Sequence, residues 1–234
     1  MKKYILKFAL IALVFSNLGA QNRRKIAGGF RLGGGLSDVF YGKIDSKPQK
    51  LSKEVSLFID FPVQDVYAIS TGIGYFQKGF REKLEIDTTL QTFAAQPDAQ
   101  TWTIDYLQIP LCFSYREHGF RLDAGIYGAY ALGGTEKWLA GKVVSYEAPL
   151  LSNDNSAFQR IRRVDGGVAF GAGYSGKSGF EVMLNAQIGI RKIEKQLRFI
   201  DILPSPNPTP NGEADIYMGR NLYVGLTVGY RFGG

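Results

Sequence analysis

The chain has 234 residues with a formal net charge of +7, one histidine and one cysteine, and is rich in glycine (29), phenylalanine (16) and tyrosine (13). That length suits one domain, and so moderate a charge gives no reason to invoke nucleic acid as a partner. A lone Cys112 leaves no internal disulfide, and so many glycines argue against helices, where each costs about 1 kcal/mol.

The first element is not part of the fold. Lysines at 2, 3 and 7 precede an apolar stretch from Phe8 to Phe15, and the small residues Gly19 and Ala20 follow. This pattern predicts a secretory signal peptide over residues 1–20, cut after Ala20. The apolar run is too short to span a bilayer as a helix. Taking three lysines from +7 leaves +4 on the exported domain, residues 21–234.

From there the chain alternates. Phe30, Leu32 and Leu36 oppose Arg31, Gly33 and Gly35; Val55, Leu57, Ile59 and Phe61 oppose Ser56, Phe58 and Asp60. Tyr67, Ile69, Ile73 and Tyr75 oppose Ala68, Ser70, Gly72 and Gly74, and Leu107 to Tyr115 repeats the pattern against Gln108, Cys112 and Ser114. Phe120, Leu122, Ile126 and Tyr130 oppose Arg121, Asp123 and Tyr127, while Val164, Val168, Phe170 and Tyr174 oppose Asp165, Gly167 and Gly171. Phe180, Val182, Leu184, Ile188 and Ile190 oppose Glu181, Asn185, Gln187 and Arg191. The last segment sets Leu222, Val224, Leu226, Val228, Tyr230 and Phe232 against Tyr223, Gly225, Thr227, Gly229 and Arg231. A period of two is the mark of a strand with one greasy face. Eight strands are predicted.

Connections alternate in length as strictly as the residues do. The turns at 62–65, 116–119 and 175–178 are tight, whereas 37–53, 80–101, 135–163 and 194–218 read as long loops. Aromatics bracket the tight turns: Phe61 and Tyr67, Tyr115 and Phe120, Tyr174 and Phe180, with Tyr230 and Phe232 at the same rim. Short turns on one rim, long loops on the other and an aromatic girdle between lipid and water are features of outer-membrane barrels. The predicted fold is all-β: an eight-stranded antiparallel up-and-down transmembrane β-barrel, closed because hydrocarbon cannot satisfy an open sheet edge. A rival reading is a soluble exported barrel with the greasy face inside, holding a small apolar ligand.

Chemistry-bearing residues are few. On these facings the lumen holds Arg31, Arg121, Arg191 and Arg231 against Asp60, Asp123, Asp165 and Glu181. Eight strands enclose a space that side chains nearly fill, so these charges should pair into a salt-bridged plug that leaves the lumen polar and closed. His118, the one histidine, falls in a tight turn, and with a lone cysteine it makes neither a hydrolytic centre nor a metal cluster. No catalytic residue, cofactor or metal is expected, and the chain does not read as an enzyme. Arg160, Arg162 and Arg163 lie just above the sixth strand, where outer-membrane lipid, including the phosphates of lipopolysaccharide, would sit. The segment 197–212 is apolar and then proline-rich, a stiff loop or a partner surface.

At "IDYLQIPLCFSYREHGFRLDAGIYGAYAL" the chain resembles the PorT-like outer-membrane β-barrel family common in Bacteroidetes. The resemblance is carried by Tyr106 to Leu111 and by the glycine–tyrosine run Gly125 to Tyr130. The segments 72–80 and 29–37 add to it. It implies a Gram-negative outer membrane, a monomer delivered by the barrel assembly machinery, and long outer loops with a structural or interaction role. It also raises an accessory role in type IX-like protein secretion. The last strand is similar to the barrel assembly signal, except that Gly233 and Gly234 follow its terminal aromatic Phe232.

Overall fold

The computed structural model describes residues 25–40, 50–83, 99–140, 143–151, 161–193 and 219–233. The signal segment 1–20, Arg160 and the segment 197–212 lie outside the described residues.

Among the described residues nine strands follow in chain order: β1 (Ala27–Phe40), β2 (Lys50–Pro62), β3 (Tyr67–Lys83), β4 (Ala99–Glu117), β5 (Phe120–Ala140), β6 (Val143–Pro149), β7 (Val164–Ser175), β8 (Phe180–Lys192) and β9 (Arg220–Phe232). Every pairing is antiparallel. β1 to β5 join in sequence, β7 replaces β6 as the next neighbour of β5, and β9 returns to β1. Eight strands therefore close into a barrel, and β6 stands outside the ring as a hairpin on the upper end of β5.

Strand facing follows from the alternation. Leu226 is 55% exposed while its neighbour Thr227 is 1% exposed, and the same contrast runs round the barrel through Leu57, Ile109, Ile126 and Leu184. A continuous apolar outer surface with a filled inside is stable in hydrocarbon and ruinous in water. The soluble rival, which needs the greasy face inside, is thereby excluded.

Cross-strand register carries the aromatic rim. Tyr67 faces Tyr115, Phe120 faces Tyr174 and Phe180 faces Tyr230. Ring contacts at 5.6 Å for Tyr67–Tyr115 and 5.0 Å for Tyr230–Phe232 make the girdle a packed belt. The turn between β4 and β5 is a two-residue reversal in which His118 and Gly119 both take positive φ, 51° and 85°. Such a pair matches the twist of the flanking strands. Gly119 is required twice over, because a Cβ there would lie 2.6 Å from the Tyr174 ring.

Two expectations change. The connections at 37–53, 80–101 and 135–163 are shorter than the pattern suggests, because β1, β3, β4 and β5 run past the point where alternation fades. A membrane-crossing strand needs only about 9–11 residues. β4 with 19 and β5 with 21 therefore rise well beyond the bilayer. A bulge opposite Asp105 and Tyr106 leaves Leu132 out of register, so the inward parity passes from Ala131 to Glu136. Second, the lumen is not polar throughout. Its outer end is an apolar core of Phe76, Phe80, Trp102, Ile104, Leu150, Ile161 and Ile193. There the strands stand in water, so the usual inside-out rule of a membrane barrel reverses and the interior is dry.

Candidate functional site

The lumen is built in layers. Nearest the short turns, Arg121 is wholly buried and touches three carboxylates: Asp123 at 2.9 Å, Asp60 at 3.3 Å and Glu181 at 3.3 Å. Its Nη2 also donates to Ser70 Oγ at 3.1 Å. Glu181 takes a second cation, Arg31, at 3.2 Å. Asp60 takes two more, Arg116 in close contact and Arg231 at 3.8 Å. Above this layer Phe58 lies across the lumen, with the guanidinium of Arg31 4.1 Å and that of Arg121 5.4 Å from its ring centroid.

A second polar layer sits higher. Lys78 is buried and donates to Gln187 Oε1 at 2.7 Å and Gln108 Oε1 at 3.1 Å, with its ammonium 4.3 Å from the Tyr127 ring centroid. Asp165 accepts from Asn221 at 2.8 Å and from the Tyr127 hydroxyl at 3.3 Å. Glu54 accepts from the Tyr223 hydroxyl at 3.0 Å. Between the layers lies a cavity of only about 60 Å³, lined by Arg31, Glu54, Gln108, Asp123, Asn185 and Gln187 among others. Such a space holds a couple of waters and cannot pass a solute.

The eight charges assigned to the lumen from sequence thus divide. Arg31, Asp60, Arg121, Asp123, Glu181 and Arg231 meet in the lower layer. Asp165 faces inward but belongs to the upper layer, where its partners are neutral donors. Arg191 is corrected: it has the inward parity but sits exposed, because the β8–β9 register is irregular between Ile188 and Lys192 and turns it out, while Ile193 beyond it is buried in the outer core. Sequence reading missed Arg116, Glu54 and Lys78. Arg116 was assigned to a turn, although β4 runs through Glu117. Glu54 and Lys78 lie one and two steps beyond the predicted ends of their strands, on the parity of Ser56 and Gly74; extending the period of two would have found both.

At the outer rim Arg162 and Arg163 lie at the foot of β7. The Arg162 amide donates to the Ile193 carbonyl at 2.7 Å, and Lys192 pairs with Arg220 across β8 and β9. Neighbouring strand ends therefore gather Arg162, Arg163, Arg191, Lys192 and Arg220. Among the described residues no group of three or more His, Cys, Asp and Glu could hold a metal ion.

A closed, lipid-faced ring of antiparallel strands with an aromatic belt and a packed interior defines an outer-membrane β-barrel. The family model for the outer membrane protein beta-barrel domain matches residues 19–195, and the chain belongs to that family. Among solved structures, the attachment invasion locus protein Ail of Yersinia pestis is similar at 13% identity, covering 88% of this chain and 98% of that one, with a TM-score of 0.41. Neisserial surface protein A is similar at 7% identity over 88% and 97%, with a TM-score of 0.43. The N-terminal barrel of Pseudomonas aeruginosa OprF is similar at 8% identity over 89% and 98%, with a TM-score of 0.34. No curated protein matches the chain.

Proposed function

We propose that this protein is a non-conducting outer-membrane barrel whose lumen is structural and whose specific task, structural or interactive, is carried by the outer face and its long connections. The observation that carries this reading is the occupied interior, with Arg121, Phe58 and Lys78 stacked along the axis and about 60 Å³ of space left between them. Conduction needs a continuous wet path, and two buried networks with an apolar cap offer none. Planar-bilayer recording tests the proposal: rare, small openings are expected, and steady large conductance would contradict it.

We infer its route and working state from the same features. The chain is exported to a Gram-negative outer membrane by a leader cleaved after Ala20, is inserted by the barrel assembly machinery and works as a monomer without a cofactor or catalytic site. Membership in the PorT-like group and an accessory role in type IX-like secretion draw on the motifs at Tyr106–Leu111 and Gly125–Tyr130, an analogy of family rather than of site.

A second reading concerns lipid. The gathering of Arg162, Arg163, Arg191, Lys192 and Arg220 above the exposed apolar residues Val164, Ile188 and Ile190 favours contact with outer-leaflet phosphates, lipopolysaccharide included. Arg160, adjacent in sequence, is part of this proposal. Replacing Arg191 and Arg220 together with glutamine should weaken retention of a phosphorylated glycolipid by the purified barrel; unchanged retention would contradict it.

A further inference from the structure

The opposite rim carries a cleft that the lumen reading does not use. It has a volume of about 650 Å³ and opens between the β4–β5 and β7–β8 turns, lined by Arg116, His118, Phe120, Tyr174, Lys177 and Arg231 among others. Its walls are fixed by backbone. Ser175 N donates to the Gly119 carbonyl at 2.6 Å, Arg231 N to the Gly179 carbonyl at 2.7 Å, and Arg116 N to the Val66 carbonyl at 2.7 Å.

The charges behind the cleft do not balance. Among the described residues, the four guanidiniums of Arg31, Arg116, Arg121 and Arg231 find ion-pair partners in three carboxylates, Asp60, Asp123 and Glu181. Asp60 alone is shared by Arg116, Arg121 and Arg231. Arg231 is the most loosely held, with its Nε 3.8 Å from Asp60, beyond hydrogen-bonding distance. The Nε atoms of Arg116 and Arg231 are buried without a hydrogen-bond partner. Buried donors left unmade are costly, and a guanidinium fork is built for an oxyanion. The acid on the cleft wall, Glu117, accepts from the Tyr115 hydroxyl and lies 3.9 Å from His118.

We propose that this cleft is a binding site for a phosphate-bearing anion, held by Arg231 and Arg116 with Lys177 at its mouth. One anionic group would balance the surplus cation and give Arg231 the partner that Asp60 cannot fully supply. The cleft is far larger than a single phosphate requires, so the anion brings a substituent with it. Exposed Phe120 and Tyr174 put the site at the level where the membrane's headgroups begin, which makes a phospholipid headgroup one source and a soluble phosphate ester the other.

The test uses the full chain, refolded and checked by heat-modifiable migration. In one arm the barrel is extracted from phosphatidylcholine vesicles doped with phosphatidylglycerol, and retained lipid is counted by native mass spectrometry. In the other, glycerol 3-phosphate is titrated onto the barrel in a zwitterionic detergent. Selective retention of phosphatidylglycerol supports the site with a lipid source; binding of glycerol 3-phosphate alone supports it with a soluble source. In whichever arm binds, Arg231→Gln should weaken binding about tenfold, as expected for a lost charged hydrogen bond, and Arg231→Lys less. Lys137→Gln, on the far hairpin, should change nothing. If Arg231→Gln does not fold, Lys177→Gln takes its place and should weaken binding a few-fold. Binding in neither arm, or binding indifferent to whichever of the two variants folds, would overturn the proposal.

Discussion

Arg121 grips Asp60 through both ends of its guanidinium fork, Nη1 to one carboxylate oxygen and Nη2 to the other, each at 3.3 Å. The pair ties β5 to β2 across the lumen rather than along the sheet. Arg121→Ala would leave Asp123 buried without its ion-pair partner and would take from Asp60 and Glu181 one of the cations that each shares with other arginines. A loss of about 3–5 kcal/mol is expected for a buried partner removed in this way. Lys137→Ala should cost less than about 1 kcal/mol, because its 3.1 Å contact with Glu147 is exposed on both sides. Urea unfolding in detergent micelles compares the two, and equal losses would contradict the placement of Arg121.

Phe58 separates the two polar layers, so its removal should be felt in both stability and leak. Phe58→Ala is expected to cost about 3–5 kcal/mol, as for a large buried ring. It also enlarges the cavity beside Arg31, and brief openings should become more frequent in bilayer recordings than in the parent barrel. A silent, fully stable variant would show that Phe58 is not the divider.

Closure depends on a seam that cannot take side chains. At Gly35 on β1 a Cβ would lie 2.2 Å from the Val224 carbonyl oxygen and 2.5 Å from the Gly225 Cα on β9. Gly128 on β5 has nothing within 4 Å of the same position. Gly35→Val should therefore lower the yield of heat-modifiable barrel sharply, while Gly128→Ala should leave it unchanged.

Cys112 is buried on the lumen face of β4. Maleimide should label it only after unfolding, and rapid labelling of the folded barrel would place β4 in the wrong register.

Much of this was legible because a bilayer simplifies sequence. Between Leu107 and Tyr115, or Leu222 and Phe232, lipid outside and a narrow lumen inside force a period of two, and the rim aromatics mark where it stops. The outer half was harder to read because both environments change at once. At Gln77 and Thr103 the outward side is polar and half-buried, while Phe80, Trp102 and Ile104 turn inward to make a dry core. Alternation survives there with its polarity inverted, so a search for outward-facing apolar residues stops at Tyr75 and starts again only at Leu107. The bulge at Leu132 then shifts the parity of β5, which hid Glu136. Pairing was less legible than facing. Nothing in a strand says how high its neighbour stands, so Asp165 was grouped with arginines that lie in the layer below it. Arg191 shares the lumen parity, but the irregular β8–β9 register between Ile188 and Lys192 turns it outward.

The measurement that bears most directly on the whole account is the environment of two adjacent residues on β9. Leu226 is 55% exposed and Thr227 is 1% exposed. A nitroxide at Leu226→Cys, in the barrel reconstituted in lipid vesicles, should be readily relaxed by oxygen dissolved in the hydrocarbon and poorly by a water-soluble nickel chelate. A nitroxide at Thr227→Cys should be immobilised and shielded from both, since Thr227 packs against Asn185 at 3.1 Å and faces a filled lumen. A Thr227 label relaxed by oxygen, or a Leu226 label relaxed by the nickel chelate, would contradict a barrel that is greasy without and packed within.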